Sequence, residues 1–260
     1  ALAPKYSNLY KPPTTHELLF FQEEILKPIL DYQKLSAELR DEIDLQLIQN
    51  ACVLIGYQLI LYTEKISENQ YLILTEAEQT EKKFWGIYCF SLNPKNKAVI
   101  ETPNPLSEFV TFEYACNIFR EYNCNLLLVA GAHALANKDQ SSNVASYYSP
   151  ASIFHLTHQT ATNYYDTQTL FMQIRGYDNK IDNTIIISNS REKFTSDFFP
   201  EEYQIFNKIF KYANTKIEYF NDQPDKIAFD NFSNKQRIYS SLTNKNNFIA
   251  YLFRINCGKQ

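Results

Sequence analysis

Glycine is scarce in this chain, with 5 glycines among 260 residues. The loops that cradle nucleotide phosphates need several glycines within a few positions, so we expect no such loop. Acidic residues (29) outnumber basic ones (25) and the net charge is −4, which excludes the basic footprint of a nucleic-acid-binding protein. No apolar run reaches the roughly 18 residues of a membrane span. We therefore expect no nucleic-acid partner and no transmembrane segment.

Several short signatures of known chemistry are also missing. The sequence contains no His-Glu-x-x-His, no Gly-x-Ser-x-Gly and no Cys–His arrangement that singles out a nucleophile. It has five cysteines and no Cys-x-x-Cys pair. Because most of the cysteines lie in apolar stretches, we expect buried, reduced thiols rather than a disulfide framework or a zinc cluster. The four in apolar stretches are Cys52, Cys89, Cys116 and Cys124.

The N-terminal sequence leaves the cellular location open. The chain begins ALAPKYSN, without the charged start and apolar core of a signal peptide. A mature chain trimmed of its signal peptide would look the same. A secreted or periplasmic location and a cytoplasmic location are therefore both compatible with the sequence.

The rest of the composition is typical of a globular protein, with 45% hydrophobic and 15% aromatic residues. Helical periodicity covers residues 16–32, which Pro28 would kink or divide, and residues 36–55. We assign residues 1–50 to an N-terminal helical extension and residues 51–260 to an α/β domain. Strands are predicted at residues 57–62, 71–75, 84–92, 98–101, 126–130, 170–174, 184–188, 216–219 and 248–254, and later helices at residues 152–163, 200–212 and 234–242.

The centre of the chain reads as a β-loop-α-β unit. A strand at residues 98–101 is followed by the turn Pro103-Asn104-Pro105, by Glu108 and by an amphipathic helix. The next strand, at residues 126–130, is followed by Gly131 and His133. In open α/β sheets, ligands bind at the carboxyl ends of the strands. We therefore expect Glu108 and His133 to lie at one edge of a mixed sheet flanked by helices.

Three of the four histidines are close in sequence. His133, His155 and His158 fall within 26 positions, and the last two, three residues apart, share a helix face. They could bind a metal ion or a substrate, or they could form a polar, partly buried helix face. Glu108 has the same ambiguity, since a carboxylate after a strand-end turn could be a chemical group or a solvated loop residue.

The order of these motifs resembles bacterial zinc-dependent amide hydrolases of the zinc-carboxypeptidase-like fold, akin to poly-γ-glutamate hydrolases. In that group the first turn reads Pro-His-Pro, a Glu follows, a later strand ends in Leu-His-Gly-Phe, and the last strand contains His-Leu-Glu. The resemblance implies a twisted mixed sheet, zinc ligands from the first three motifs and a catalytic base in the last. The matching segments here are Pro103-Asn104-Pro105, Glu108, Ala130–His133, Phe154-His155 with His158, Ile174–Tyr177 and Tyr251-Leu252-Phe253.

The departures from this pattern decide the functional prediction. Asn104 and Arg175 stand at two implied ligand positions, and Phe253 stands at the position of the base. Of the implied metal ligands and base, only Glu108 is retained. Arginine is always protonated and cannot ligate a metal, and phenylalanine cannot take a proton from water. We expect no metal site, and we expect Arg175 to pair with Glu108 in place of the metal charge.

The leading hypothesis is a catalytically impaired relative of these hydrolases, without cofactor, that binds an anionic or peptide-like ligand or a protein partner. One alternative is an active, zinc-dependent amide or peptide hydrolase whose relocated site uses Glu108, His133 and one of the two helix histidines. Another is a plain protein-interaction module whose cleft is vestigial. No residue is assigned a catalytic role. The predicted cleft is lined by Asn104, Glu108, His133, His155, His158 and Arg175.

Overall fold

The computed structural model describes residues 2–108, 110–145, 151–166, 169–177, 184–189, 216–219 and 250–256. These residues contain one mixed sheet with helices on both faces, so the predicted α/β class is confirmed. The strands are β1 (Tyr57–Thr63), β2 (Gln70–Glu76), β3 (Ile87–Ser91), β4 (Asn96–Thr102), β5 (Cys124–Val129), β6 (Leu170–Tyr177), β7 (Thr184–Asn189), β8 (Lys216–Tyr219) and β9 (Ala250–Asn256). Within the described residues no helix is both long and apolar enough to cross a membrane.

The strand order across the sheet is β1-β2-β3-β5-β4-β6-β9-β7-β8. At one side of the sheet β1, β2 and β3 pair antiparallel in sequence order. The central strands β5, β4, β6 and β9 run parallel to one another. On one side of them β3 pairs antiparallel to β5, and on the other β7 pairs antiparallel to β9 and parallel to β8. The strands β6 and β7, which follow each other in sequence, are separated by β9 because the last strand inserts between them. The helices predicted at residues 200–212 and 234–242 lie outside the described residues.

The N-terminal helices differ in detail from the sequence prediction. The chain is helical from α1 (Thr15–Phe20) through a π-helical turn (Phe21–Leu26) into α2 (Lys27–Lys34). Thr14 starts this stretch with a capping box, in which its side chain and that of Glu17 each accept a backbone N–H. Pro28 does not divide the helix, because it falls in the first turn of α2, directly after the wider π turn, where its missing N–H is tolerated.

The single helix predicted at residues 36–55 is wrong. Two helices form instead, α3 (Ala37–Asp41) and α4 (Gln46–Leu54). Between them the Asp44 carboxylate accepts the Gln46 N–H at 2.9 Å, a local bond that competes with a continuing helix. The buried Arg40 guanidinium anchors α3 by donating to the Leu92 carbonyl at 2.6 Å. Side-chain hydrogen bonds of this kind outweigh the apolar periodicity.

The two faces of the sheet bury two separate cores, with side chains alternating along each central strand. One core joins the N-terminal helices and α6 (Ile153–Tyr164) to one face, while the other lies under α5 (Thr111–Glu121). The first takes Val99, Leu126, Leu128 and Phe171 from the central strands. The second takes Ile100, Leu127, Val129, Met172 and Ile174. Because both faces of the central strands are covered, the polar groups at their carboxyl ends lie at the edge of the sheet.

Candidate functional site

The carboxyl ends of β4, β5 and β6 lie side by side at one edge of the sheet. The strands β5 and β6 pair in parallel with opposite sides of β4, and the Ala130 N–H donates to the Thr102 carbonyl at 3.1 Å just beyond their ladder. This geometry brings the turn after β4 near the segments that follow β5 and β6. The predicted location of the site, at the strand ends, follows from this register.

The turn after β4 is built by the backbone around Asn104. The Asn104 carbonyl accepts the N–H groups of Ser107 at 3.2 Å and Glu108 at 3.0 Å. The Glu108 carbonyl in turn accepts the Thr111 hydroxyl at 2.6 Å, which ties the turn to the start of α5. Val110, between them, adopts a left-handed backbone conformation with φ of 63°. These contacts fix the direction of the Glu108 side chain.

The Glu108 carboxylate is surrounded by donors. Arg175 Nε lies 3.0 Å from both of its oxygens and Arg175 Nη2 lies 2.8 Å from Oε1. Asn104 Nδ2 donates to Oε1 at 2.8 Å, and the Gly176 N–H donates to Oε2 at 2.8 Å. The side chains of Arg175 and Glu108 are only 16% and 15% exposed. The predicted pairing of Glu108 with Arg175 is therefore confirmed, and Asn104 joins the same cluster.

This set of groups does not fit a zinc ion. Zinc in proteins binds thiolate, imidazole or carboxylate ligands in a tetrahedral arrangement. Here a guanidinium contacts both carboxylate oxygens, the amide nitrogen of Asn104 donates to Oε1 and the Gly176 N–H donates to Oε2. Among the described residues, no group of three or more His, Cys, Asp or Glu side chains could hold a metal ion. The cluster is an internal ion pair with two further hydrogen-bond donors.

A second polar group lies deeper, between β4 and α6. The imidazole Nδ1 of His158 forms a hydrogen bond with Glu101 Oε1, and both side chains are at most 2% exposed. Gln173, beside Glu101 on β6, donates from Nε2 to Glu101 Oε2 at 3.4 Å. The Gln173 Oε1 accepts Arg175 Nη1 at 3.2 Å. Gln173 therefore connects the buried acid–imidazole pair to the ion pair at the edge.

The sequence interpretation missed Glu101 and Gln173. The usable signal was that Glu101 ends the predicted strand at residues 98–101, whose other residues are apolar. A carboxylate in a buried strand requires a charged or hydrogen-bonding partner, and the histidine-bearing helix α6 was the candidate. Gln173 lies beside Glu101 because the parallel register of β4 and β6 pairs these two residues directly.

His155 and His158 share one face of α6, as predicted, and both are buried against the sheet. Their ring centroids are 6.3 Å apart and the rings are nearly parallel, at 13°. Burial, and secondarily the neighbouring His158, lower the pKa of His155 from 6.5 to about 4. His155 is therefore neutral at physiological pH. Whether these two residues contact a ligand remains a prediction.

His133 lies at the same edge of the sheet, but its hydrogen bonds run elsewhere. Its backbone N–H donates to the Ala3 carbonyl at 2.9 Å, and its Nδ1 accepts the Leu135 N–H at 2.9 Å. Burial, and secondarily the charge of Lys5, lower the pKa of His133. The structure thus joins Asn104, Glu108 and Arg175 in one cluster, and it places His133 under the N-terminal segment.

No protein-family profile and no curated protein matches this chain. Solved structures with a similar backbone include a bacteriophage poly-gamma-glutamate hydrolase (TM-score 0.36, 11% identity, covering 77% of this chain and 70% of that one). Another is a metallo-carboxypeptidase from Burkholderia cenocepacia, with a TM-score of 0.37 and 14% identity, covering 86% of this chain and 61% of that one. A third is a mutant tomato leucine aminopeptidase, with a TM-score of 0.31 and 6% identity, covering 88% of this chain and 55% of that one. This chain thus spans less than two thirds of the latter two. Similarity at this level says nothing about activity.

Proposed function

We propose that this chain is a non-hydrolytic relative of zinc-dependent amide hydrolases that binds an anionic or peptide-like ligand at the carboxyl edge of its sheet. The observation that carries the proposal is the Glu108 cluster. A carboxylate that accepts hydrogen bonds from Arg175, Asn104 and the Gly176 amide at 2.8–3.0 Å has its charge balanced by the guanidinium and is surrounded by donors rather than open to a metal ion. A guanidinium at this place repels a metal ion and attracts an anion.

Asn104 supports a ligand that contains an amide. Its Oδ1 atom is buried, and no donor among the described residues reaches it. A buried acceptor without a donor is costly, and a ligand N–H would satisfy it. Next to it lies the Arg175 guanidinium, which is paired with Glu108 and which a ligand carboxylate would have to share. An amide donor and a carboxylate side by side are the features of a peptide chain with acidic side chains.

The part of the chain that the structure describes also lacks an obvious group to activate water. Glu101 and His158 are bound to each other and are almost fully buried, so they support the sheet rather than reach a ligand. Phe253 stands where the resembled hydrolases have their base. It lies on β9, paired with Ile174 of the neighbouring strand β6. A general base must lie within hydrogen-bond reach of the proton that it takes, and phenylalanine has no acceptor for it.

The proposal can be tested by calorimetric titration of the whole chain with an acetylated γ-linked tetraglutamate. The uncharged control is the same peptide with all of its carboxylates converted to carboxamides. We expect saturable binding of the acidic peptide in the range of about 1 μM to 1 mM and none of the control. The variant Arg175→Gln with Glu108→Gln removes both charges together and should lose at least about tenfold in affinity, whereas Arg120→Gln, an exposed arginine on α5, should not. Equal binding by the parent and the double variant would overturn the proposal.

The same titration separates the two alternatives. An active hydrolase would shorten the peptide, which mass spectrometry of the titrated sample would detect, and would carry about one equivalent of zinc. A plain interaction module would neither bind the peptide nor cleave it. Binding without cleavage is the outcome that the proposal requires.

A further inference from the structure

The N-terminal segment of the chain is bound along the loop that follows β5. We call residues 3–8 the strap and residues 131–136 the strap groove. The Ala3 N–H donates to the Gly131 carbonyl at 2.9 Å, and the Ala3 carbonyl accepts the His133 N–H at 2.9 Å. Further along, the N–H groups of Tyr6 and Asn8 donate to carbonyls of the groove at 2.8 and 2.9 Å. The strap is thus held through its backbone.

The groove selects one side chain of the strap. Ala3 is completely buried, whereas Tyr6 is 64% exposed and Pro4 and Lys5 are also exposed. A larger side chain at the Ala3 position would have to displace packed neighbours in the core. The groove therefore recognises an extended backbone with one small side chain and tolerates variation at the other positions.

The strap is bound in a strained conformation. Tyr6 has a positive φ angle of 60°, a region that L-residues with a large side chain occupy at a cost. Asn8, with φ of 54°, is a residue type that adopts this region more readily. The ladder between strap and groove is also short, with one bridge between Ala3 and Ala132. The covalent link compensates for this cost, because it keeps the strap at a high effective concentration. A separate peptide without the strain could compete for the same groups.

We propose that the strap groove is a docking site for an extended α-peptide with alanine, glycine or serine at the Ala3 position. The strap occupies this site in the structure, and such a peptide can displace it. The groove adjoins the Glu108 cluster, because the strands that precede them are neighbours and the Ala130 N–H bonds to the Thr102 carbonyl. This inference goes beyond the proposed function, because the groove and the Arg175 cluster would take separate ligands. A peptide in the groove would replace the strap over His133.

The test cuts the backbone of the folded protein once, so that the strap is no longer covalently linked to the rest of the chain. A short protease site is inserted between Asn8 and Leu9, which are both exposed, and the folded chain is then cut. A labelled peptide of residues 1–8 is added, and its exchange into the nicked protein is followed by fluorescence anisotropy, while circular dichroism reports the fold. We expect saturable exchange with the fold retained. The Ala3→Arg peptide should bind about 10- to 100-fold more weakly, and the Tyr6→Gly peptide about 3- to 10-fold more tightly, because glycine removes the strain.

Three results would overturn the inference: loss of the fold when the strap leaves, a nicked strap that never exchanges, or equal binding of the parent and Ala3→Arg peptides. If cutting itself unfolds the protein, hydrogen exchange in the uncut chain tests whether the strap opens independently of the core. The amides of Ala3, Tyr6 and Asn8 should exchange at least about 100-fold faster than those of β5, as expected for local opening, and equal rates would contradict a displaceable strap. Tetraglutamate should not displace the labelled peptide, so failure here is distinguishable from failure of ligand binding at Arg175.

Discussion

Arg175 on β6 contacts both carboxylate oxygens of Glu108, with Nε 3.0 Å from each and Nη2 2.8 Å from Oε1. The two residues are 67 positions apart in sequence and meet because β6 pairs in parallel with the strand that precedes Glu108. This contact accounts for the charge balance at the strand ends without a metal ion. Each side chain is about five-sixths buried, so the stability of the pair is sensitive to the loss of either partner.

Removal of Arg175 alone should destabilise the fold. The change Arg175→Ala leaves the Glu108 carboxylate largely buried without its counter-charge, and we expect the free energy of unfolding to fall by about 3 kcal/mol. The double change Arg175→Met with Glu108→Gln removes both charges and should cost less than about 1.5 kcal/mol. Urea denaturation of the three proteins measures the difference. A double variant as unstable as the single one would show that packing, not charge, dominates at this place.

Glu101 and His158 should behave as one energetic unit. Each single change, Glu101→Leu or His158→Leu, leaves the other polar group buried and unsatisfied, at a cost of about 2–4 kcal/mol. The double variant should cost less than the sum of the two single changes by more than about 1 kcal/mol. A double-mutant cycle of unfolding free energies gives this coupling. The pair Gln46 and Asn50, exposed on α4, provides a control whose coupling should be near zero.

Buried His155 should make the protein less stable in mild acid. Its pKa is 6.5 in the unfolded chain and about 4 in the folded one, so between these values the unfolded state binds a proton that the folded state does not. Stability therefore falls as the pH drops from about 6.5 towards 4, by up to about 3 kcal/mol from this group. Urea midpoints of the parent and of His155→Phe at pH 7 and pH 4.5 test this. The variant should lose less stability on acidification, and identical losses would refute the assignment.

The described cysteines should be slow to react in the native protein. Burial raises the pKa of Cys52, Cys89 and Cys124 to about 12 and that of Cys116 to about 11, and the thiolate is the reactive form. Labelling with a thiol reagent at pH 7.5, followed by peptide mass spectrometry, should modify these four only after unfolding. Rapid labelling of buried Cys52 or Cys124 in the native state would contradict the packing of the first and second cores, respectively.

The strand-end cluster could be predicted because it depends on local order. The turn at Asn104 and the following Glu108 come after β4, Arg175 lies near the end of β6, and parallel strands align their carboxyl ends. The Glu101–His158 pair could not be deduced in the same way, since it depends on the register of β4 and on which face α6 covers. Likewise, the break between α3 and α4 arises from the side-chain bonds of Asp44 and Arg40, which apolar periodicity does not reveal. The position of β9 between β6 and β7 is a long-range pairing that no local pattern encodes.

The role of the six predicted cleft residues as a ligand site stays a prediction, as does the boundary between the helical extension and the α/β domain. The contacts divide those residues unevenly. Asn104, Glu108 and Arg175 form one cluster, and His158 belongs to the buried pair with Glu101. This division predicts that ligand affinity depends on Arg175 and not on His158, which the tetraglutamate titration can measure with the His158→Leu protein.

In our proposal, Arg175 and Asn104 stand around Glu108 where the resembled hydrolases hold two metal ligands. The most direct measurement is calorimetric titration of zinc into the parent and into the variant Asn104→His with Arg175→His. The variant would hold two imidazoles and one carboxylate, the ligand number of a catalytic zinc site. We expect no saturable zinc binding by the parent. We expect the variant to bind about one equivalent of zinc without hydrolysing γ-glutamyl peptides. Stoichiometric zinc binding by the parent, or a variant that does not bind zinc, would contradict this proposal.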